Sequence, residues 1–409
     1  MLLPSAEDRA QGRAPLALLL FLALITSLVA LTIDAVLPAL DGMDRELQFA
    51  SANDRHFVVL AVFAGLAPAQ ALVGPLADAY GRKRVALAGL ALYLVAALIG
   101  ALATSPEMLI AARFLQGVGA AGPRVVSVAI ARDLFEGRAM ARVVSLVNTI
   151  FMAVPMLAPL IGQGLEALGG WRAIFGFYAF AALAAGVWYL VAMPETLSER
   201  DRRPLALSTL FTTWGEVLRC RQAVVATAII VAVFGAFTAY LATAQQIFEE
   251  LYDLGPLFPL AFASLALAFA AASFINGKLV MRLGMRRLTA GGIALMIGAS
   301  AAGTIVAIAS AGVPPLWVTL ALLALVFVAV AIVFGNMVAL GTAPLGHAAG
   351  TATAFMLAAG TLCAAGIGTV IAQQYDGSLL PLFAGFAVLG VAALALFALI
   401  REEPQDAPA

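Results

Sequence analysis

Charged residues are scarce in this sequence: Asp, Glu, Lys and Arg make up 11% of its 409 residues, while 63% are hydrophobic. A soluble domain carries about 25% charged residues, so this composition excludes a water-soluble fold and predicts a chain surrounded by lipid. The formal charges cancel to zero, which gives no indication of nucleic-acid binding. Two cysteines, Cys220 and Cys363, are too few and too far apart to indicate a disulfide framework or a metal site.

Signatures of catalysis are also missing. The sequence has two histidines, His56 and His347, and no nucleophile–base constellation. It has no glycine-rich phosphate-binding loop followed by lysine and Ser or Thr. We therefore expect neither an enzyme nor an ATP-driven pump, and no cofactor or metal.

Long apolar segments dominate what is present. A bilayer-spanning helix needs about 20 apolar residues, and the sequence holds twelve such segments in two sets of six. The first is roughly twice as long as the apolar region of a signal peptide, so we interpret it as a retained span. The predicted spans 1 to 12 cover residues 15–41, 57–78, 85–104, 108–132, 142–166, 171–193, 222–247, 256–281, 287–310, 315–340, 347–374 and 377–400.

A polar stretch over 194–221 separates the two sets and is the natural linker between them. The predicted organisation is a six-helix bundle over residues 1–196, a linker over 197–221 and a second six-helix bundle over 222–409.

Basic residues predict the orientation of the chain. Loops on one side of the spans hold only Arg45, Arg55 and Arg172. Because cytoplasmic loops carry an excess of Lys and Arg, the other side is predicted to be cytoplasmic, together with both termini. The loops of that side hold Arg82, Lys83, Arg84, Arg132, Arg138, Arg142, Arg200, Arg202, Arg203, Arg219, Arg221, Arg282, Arg286 and Arg287, and the N-terminus adds Arg9 and Arg13.

One loop of the chain is repeated. GPLADAYGRKR, residues 74–84, aligns with GKLVMRLGMRR, residues 277–287, and the two copies share Gly, Leu, Gly and two final basic residues. Each copy joins the second and third spans of its own set. Internal repeats of this kind are typical of secondary transporters, so the two six-helix sets are predicted to be pseudo-symmetric copies.

This loop resembles the signature between helices 2 and 3 of the major facilitator superfamily. The resemblance implies the fold of that family: an all-α membrane protein with twelve spans in two pseudo-symmetric bundles. In the family, the acid of this loop (here Asp78) pairs with the N-terminus of helix 11 and with nearby arginines, and the contact breaks during transport. The second copy has Met281 in the equivalent place. The implied latch residues are Gly74, Asp78, Gly81, Arg82 and Arg84.

Three further motifs resemble the drug:proton antiporters of this family, particularly the bicyclomycin and chloramphenicol resistance branch. Span 1 carries ALTIDAVLPAL, with Val36 where that branch usually has tyrosine. Span 4 carries RFLQGVGAAGPRVVSVAIARDLF, and WRAIF opens span 6. In span 5, APLIGQ resembles the antiporter motif of the family, with Ala158 and Gln163 as departures. The resemblance implies that Pro155, Pro159 and Gly162 of span 5 form a bend that seals the cavity against proton leak. Ordinary helix packing explains the glycine equally well.

Two charges inside the predicted membrane region are the candidates for proton coupling. Asp34 is the one acid clearly within an apolar span, and Arg113 lies at comparable depth in span 4. Ionisable residues in a membrane are costly and mark functional sites. If both spans line the cavity, as in the family, the two side chains would pair directly or through water, and movement of the arginine would load or release a proton. A static buried pair and a carboxylate that binds cationic substrates are the alternatives.

Other polar residues are candidates for the substrate cavity. Arg124 follows Arg113 by 11 residues, so the two share a helix face about 16 Å apart. It would bind an anionic group of the substrate or extend toward the cytoplasmic boundary. In the second half we expect Tyr240, Gln245 and Asn336 to line the cavity, with aromatic residues such as Phe234 and Phe237.

The preferred function is a proton-coupled antiporter that exports small organic molecules such as drugs by alternating access. The expected location is the bacterial inner membrane, which the chain crosses repeatedly as a monomer. Its expected partners are a small-molecule substrate, protons and the lipid bilayer, and no nucleic acid. The alternatives are a dedicated exporter of an endogenous metabolite or metallophore, an uptake symporter of the same fold, and a membrane receptor or scaffold that has lost transport.

Overall fold

The computed structural model describes residues 14–135, 137–202, 205 and 207–400. The predicted basic residues Arg9, Arg13 and Arg203 lie outside this part of the chain. The described residues are almost entirely helical. Their α-helices are α1 Leu16–Asp34, α2 Leu40–Leu47, α3 His56–Tyr80, α4 Arg82–Ala101, α5 Pro106–Leu134, α6 Gly137–Ala192, α7 Leu207–Arg219, α8 Arg221–Gln245, α9 Phe258–Leu283, α10 Met285–Ala309, α11 Leu316–Thr342, α12 Ala349–Ala372 and α13 Leu380–Phe397.

Shorter helical turns connect several of these elements. A π-helix, Gln246–Leu251, directly continues α8. The 3-10 turns are Leu37–Ala39, Ala52–Arg55, Glu199–Asp201, Gly255–Leu257 and Ala343–Ala348.

The described residues contain 11 helical segments long and apolar enough to cross a membrane. One of them, Arg142–Ala192, has 51 residues, and at about 1.5 Å per residue it is more than twice as long as a bilayer core is thick. Its backbone leaves the helical conformation at Gly169 and Gly170, where φ is −156° and 67°. The two arms of α6 on either side are the predicted spans 5 and 6, so the predicted number of twelve is confirmed.

Two predicted segments differ in detail. The first span was expected to continue to residue 41, but α1 ends at Asp34. Pro38 is the physical reason, because the carbonyl of Asp34 would accept the N–H of residue 38, which proline lacks. The predicted linker is also not entirely irregular, because α7, Leu207–Arg219, lies within it.

Contacts divide the chain into two compact units. Unit 1 comprises Met1–Leu207 and Leu241–Ala266, and unit 2 comprises Ser208–Tyr240 and Leu267–Ala409. α8 therefore starts in unit 2 and ends in unit 1, while α9 does the reverse. The predicted domain boundaries at residues 196 and 222 stay a prediction.

The repeated loop has the same backbone conformation in both copies. Gly81 precedes α4 with φ 98° and ψ 150°, and Gly284 precedes α10 with φ 77° and ψ 153°. A positive φ is accessible to glycine without steric cost, which explains why the second glycine of each copy is shared. The predicted internal repeat is thus visible in the backbone.

The helices that follow these loops also pack alike. In unit 1, a Cβ on Gly100 of α4 would overlap the ring of Phe175. In unit 2, a Cβ on Gly303 of α10 would overlap the ring of Phe383. Both glycines lie 19 residues after the loop glycine of their copy (100 − 81 and 303 − 284), so the repeat extends through the whole third span.

Close helix crossings position α5 in unit 1. A Cβ on Gly65 of α3 would overlap the backbone carbonyl of Phe114, and one on Gly117 of α5 would overlap the carbonyl of Val62. Small residues at such crossings allow helix backbones in a membrane to approach closely. Gly117 of the span 4 motif and Gly65 therefore allow α5 to lie directly against α3.

Candidate functional site

Asp34 lies at the break that ends α1. Its side chain is buried, with 4% exposure of the residue. Among the described residues, none forms an ion pair or a hydrogen bond with its carboxylate. Burying an ionised carboxylate is costly unless a cation or hydrogen-bond donors compensate its charge. Its protonation state would therefore respond to any change in its surroundings.

The span 5 motif packs directly against this break. A Cβ on Gly162 would overlap the carbonyl oxygen of Ala35 and lie 2.7 Å from its carbon. Ala35 follows Asp34, so this glycine sets how closely the first arm of α6 approaches the candidate coupling acid. Pro155 and Pro159 stand inside the same arm. By contrast, a Cβ on Gly164 would meet no atom within 4 Å.

Arg113 is fully buried, with 0% exposure, and its guanidinium binds backbone carbonyls of two other helices. Nε donates to the carbonyl of Val58 in α3 at 2.9 Å, and Nη2 donates to the carbonyl of Thr32 in α1 at 2.6 Å. Nη1 donates to Gln116 Oε1 at 3.0 Å. The Tyr178 hydroxyl also donates to the carbonyl of Thr32, at 3.2 Å.

These contacts assign Arg113 a structural task at the end of α1. The last four carbonyls of a helix have no partner within it, and the carbonyl of Thr32 is one of them. A cation near a helix C-terminus is also favoured by the helix dipole. The anticipated direct ion pair between Arg113 and Asp34 is absent from the residues that the structure describes, because the guanidinium is engaged by these carbonyls.

Arg124 is half-buried in α5. Its guanidinium carbon lies 4.8 Å from the ring centroid of Phe151, in the first arm of α6. This is a cation–π contact between the helices of the span 4 and span 5 motifs. No acidic side chain forms an ion pair with Arg124 among the described residues, and its role in substrate binding stays a prediction.

The implied latch residues lie at the opposite end of unit 1, where Arg82 connects three acids. Its Nη1 pairs with Asp78, and its Nε lies 3.1 Å from Asp133 Oδ2. Its backbone N–H donates to Glu195 Oε1 at 2.9 Å. Arg84 is exposed, and a Cβ on Gly74 would meet no atom within 4 Å.

Glu195 was not identified from the sequence, yet it forms the N-terminal cap of α4. It accepts the backbone N–H groups of Arg82 and Lys83, the latter at 3.1 Å. The first N–H groups of a helix need such acceptors, and a carboxylate there is also favoured by the dipole. An acid two residues before the predicted linker, on the side of the membrane predicted for a loop with three basic residues, is the signal that could have found it.

We predict that Glu195→Ala lowers the thermal stability of the detergent-solubilised protein. The variant leaves two N–H groups of α4 without their acceptor, at a cost of about 1–3 kcal/mol. Glu199→Ala is the matched control, since its side chain is 88% exposed and pairs only loosely with Arg202. Thermal unfolding followed by tryptophan fluorescence measures both; equal midpoints for the two variants would contradict the capping role.

A second cluster that sequence reasoning missed joins α2 to the second arm of α6. Trp171 Nε1 donates to Glu46 Oε2 at 2.7 Å, and Arg172 Nη1 contacts both oxygens of the same carboxylate at 2.5 and 2.6 Å. Arg172 Nη2 also donates to the carbonyl of Ala103. The first two residues of the WRAIF motif therefore attach the start of span 6 to the segment after span 1.

Unit 2 contains an aromatic cluster built from α8, α9 and α11. Tyr240 is fully buried and meets Phe327 edge-on at 4.8 Å between ring centroids. Phe234 and Phe237 stack at 5.4 Å, and Phe237 also contacts Phe269 at 5.8 Å. Aromatic pairs in such edge-on and stacked arrangements stabilise the packing of α8 against α9 and α11.

Asn336 and Gln245, the remaining candidates, lie in different units. Asn336 of α11 exchanges two amide hydrogen bonds of 3.2 Å with Asn276 of α9, in unit 2. Gln245 belongs to unit 1, and its Nε2 donates to Glu249 Oε2 at 3.1 Å. The predicted cavity residues are thus shared between the units: Asp34, Arg124 and Gln245 in unit 1, and Tyr240 and Asn336 in unit 2.

Known proteins resemble this chain in sequence. The chloramphenicol resistance protein of Pseudomonas aeruginosa is 28% identical over 363 residues, which are 84% of this chain and 81% of that protein. The uncharacterized MFS-type transporter YdgK of Bacillus subtilis (strain 168) is 31% identical over 270 residues, or 65% of this chain and 67% of that protein. The first of these confirms the resemblance to the chloramphenicol resistance branch.

The fold resembles solved transporter structures. The partially occluded inward open conformation of the xylose transporter XylE from E. coli superimposes with a TM-score of 0.72 at 16% identity, covering 96% of this chain and 99% of that one. At this identity the likeness shows the fold alone. It confirms the predicted all-α architecture.

The family match covers most of the chain, over residues 22–368. Together with the apolar helices, it makes the protein a multi-pass membrane transporter for a small-molecule substrate, and its bacterial relatives agree with the predicted inner-membrane location. The chain belongs to the Major Facilitator Superfamily.

Proposed function

We propose that this protein exports small organic molecules, including antibiotics, in exchange for protons, with both termini in the cytoplasm. Alternating access would carry the substrate outward while a proton moves inward on Asp34. The name of the chloramphenicol resistance relative and the drug:proton antiporter motifs in spans 1, 4 and 5 support this choice within the family.

The state of Asp34 carries the proposal. A membrane-embedded carboxylate is costly and is kept where it has a function. Because Asp34 has no ion-pair partner among the described residues, it is not explained as part of a static buried pair. Its place at a helix break, against Gly162, means that a small shift of α6 would alter its surroundings.

The charges and rings of the two units suggest which substrates are favoured. The aromatic cluster of unit 2 offers an apolar surface, while Arg124 in unit 1 offers a positive charge. By itself, the aromatic cluster favours apolar and aromatic compounds, and the charge of Arg124 by itself disfavours lipophilic cations. Neutral aromatic antibiotics are the substrate class that we expect the protein to transport best.

The test uses inverted membrane vesicles whose interior is acidified by respiration and reported by a pH-sensitive dye. Adding a transported compound should release protons from the interior of vesicles that contain the native protein. Asp34→Asn should abolish this release. Asp376→Asn is the matched control, because Asp376 is an exposed loop acid whose carboxylate accepts hydrogen bonds from the backbone N–H and the hydroxyl of Ser378. A panel of neutral antibiotics, cationic dyes and anionic metabolites assigns the substrate class.

Each outcome separates the alternatives. Proton release that persists in Asp34→Asn would move the coupling site to another residue and contradict the role of Asp34. Protons that enter with the substrate in the same direction would indicate an uptake symporter. A response to one endogenous metabolite alone, with none to antibiotics, would indicate a dedicated exporter.

A further inference from the structure

A polar cluster around the buried side chains of Arg55 and His56 in unit 1 has no role in the site described so far. It lies where α3 begins, at the end of the bundle opposite Arg82. His56 Nε2 lies 2.5 Å from Gln246 Oε1, and Gln246 Nε2 donates to Asn53 Oδ1 at 3.1 Å. Arg55 pairs with Glu250, and its Nη1 lies 3.6 Å from Asp41 Oδ1. We call these residues the His56 cluster: Asp41, Asn53, Arg55, His56, Gln246 and Glu250.

The cluster attaches one short segment to unit 1. Leu241–Ala266 is counted with unit 1, although the remainders of α8 and α9 on either side belong to unit 2. Gln246 and Glu250 lie on the π-helix within this segment. A further contact, from Gln163 Nε2 to the carbonyl of Gly255 at 3.2 Å, attaches the same segment to α6. π-Helical turns occur frequently at functional sites.

The hydrogen bonds of the cluster determine which nitrogen of His56 carries the proton. Gln246 donates through Nε2 to Asn53, so it presents its oxygen to His56, and His56 Nε2 must be the donor. His56 Nδ1 is then a bare acceptor. It is buried and has no hydrogen-bond partner among the described residues, and the same holds for Arg55 Nε.

This arrangement accommodates only the neutral imidazole. A second proton on Nδ1 would create a buried N–H without an acceptor beside the guanidinium of Arg55, and an unsatisfied buried donor is costly. The neighbouring acids give little compensation: Asp54 accepts the N–H of Ser51, and Asp41 and Glu250 already face Arg55. Three further charged side chains lie on the neighbouring segments: Arg45 on α2 pairs with Asp41, Glu249 on the π-helix accepts from Gln245, and Arg113 on α5 donates to the carbonyl of Val58.

We propose that the contacts of the His56 cluster break during the transport cycle, and that protonation of His56 from the adjacent aqueous phase breaks them. This second latch is distinct from the latch residues around Arg82. The assignment of this phase as the outside rests on the proposed function and its orientation. An acidic exterior would then release Leu241–Ala266 from unit 1 and admit protons from the side on which they are abundant. His56 is a positioning residue in this scheme, since it acts on the conformation and carries no proton across the membrane.

The test measures the accessibility of a cysteine placed beneath the cluster. Ala244, with 0% exposure, is replaced by cysteine in a chain that also carries Cys220→Ser and Cys363→Ser. Full-length protein in liposomes is labelled from outside with a membrane-impermeant thiol reagent at about pH 5.5 and pH 7.5, on either side of the usual imidazole pKa of about 6.5. Val313→Cys, at an exposed loop position, corrects for the pH dependence of the reagent.

We expect the corrected labelling rate of Ala244→Cys to rise up to roughly tenfold at the lower pH, in proportion to the protonated fraction of a free imidazole. His56→Gln keeps a neutral donor toward Gln246 and should remove this dependence. Gln246→Glu supplies an anion for the protonated imidazole, so acid should slow labelling in that variant. Slower labelling of Gln246→Glu at the lower pH would reverse the direction of the native pH effect. A misfolded variant would lose the pH effect and would not reverse it.

Two results would overturn the proposal. One is a native rate that is independent of pH, and the other is a pH dependence that survives His56→Gln. The assay needs neither substrate nor proton exchange, so a failure of Asp34→Asn to affect transport would leave it interpretable. Labelling only from the opposite side of the membrane would contradict the proposed orientation and with it the external control of the latch.

Discussion

Replacing Gly162 with alanine should abolish transport and lower the stability of unit 1. The new Cβ would overlap the carbonyl oxygen of Ala35, a backbone atom that cannot move independently of α1. Overpacking a core costs about 1–3 kcal/mol or more. To relieve the overlap, the first arm of α6 must separate from the break of α1, which displaces Asp34. Proton–substrate exchange in inverted vesicles and thermal unfolding in detergent measure the two effects.

Gly164→Ala is the matched control for this prediction. It makes the same chemical change two residues further along the same helix, where a Cβ would meet no atom within 4 Å. Transport should therefore remain close to the native level. Equal activity of both variants would show that the contact between Gly162 and Ala35 is not needed. Equal loss in both would indicate that helix propensity, and not packing against Asp34, decides the outcome.

Arg113→Met should severely destabilise the protein. The substitution removes the guanidinium donor from three buried acceptors, namely the carbonyls of Val58 and Thr32 and the side chain of Gln116, and the Thr32 carbonyl keeps only its bond from the Tyr178 hydroxyl. A hydrogen bond to a charged group contributes about 1.5–3 kcal/mol, so the loss of three such bonds is comparable to the total stability of about 5–15 kcal/mol of a typical protein. We expect low accumulation in the membrane and a clearly lower midpoint of thermal unfolding.

Arg113→Lys and Arg84→Met complete this experiment. Lysine keeps the charge but not the planar fork that serves several acceptors, so its stability should lie between those of the native protein and Arg113→Met. Arg84 is exposed, and its removal should leave the unfolding midpoint unchanged. If Arg113→Met unfolds at the native temperature and nonetheless loses transport, the arginine acts in proton coupling and not as an anchor.

Local sequence properties were sufficient for the architecture. Hydropathy over windows of about 20 residues located the spans, because a bilayer imposes nearly the same length on each of them. The two copies of the loop at 74–84 and 277–287 revealed the repeat, since both need a glycine with positive φ before the next helix. Even the end of α1 was encoded locally by Pro38, although it was not predicted.

Residue roles were harder to predict because they depend on partners far away in the chain. Asp34 and Arg113 were predicted to pair, directly or through water, from their comparable depth and from the family resemblance that places both spans at the cavity. The fold instead places the guanidinium of Arg113 against the carbonyls of Val58 and Thr32. Depth along the membrane is readable from sequence, whereas the direction in which a long side chain extends depends on the helices packed around it.

The same limit applies to the groups that were missed. Glu195 meets the N–H groups of α4 across 113 residues of sequence, and Gln246 meets His56 across 190. The sequence by itself determined the membrane solvent, the number of spans, the repeat and the family, because these follow from composition and short motifs. Only the tertiary structure decided which buried polar groups satisfy one another, because burial leaves each donor and acceptor only the partners that packing brings within reach.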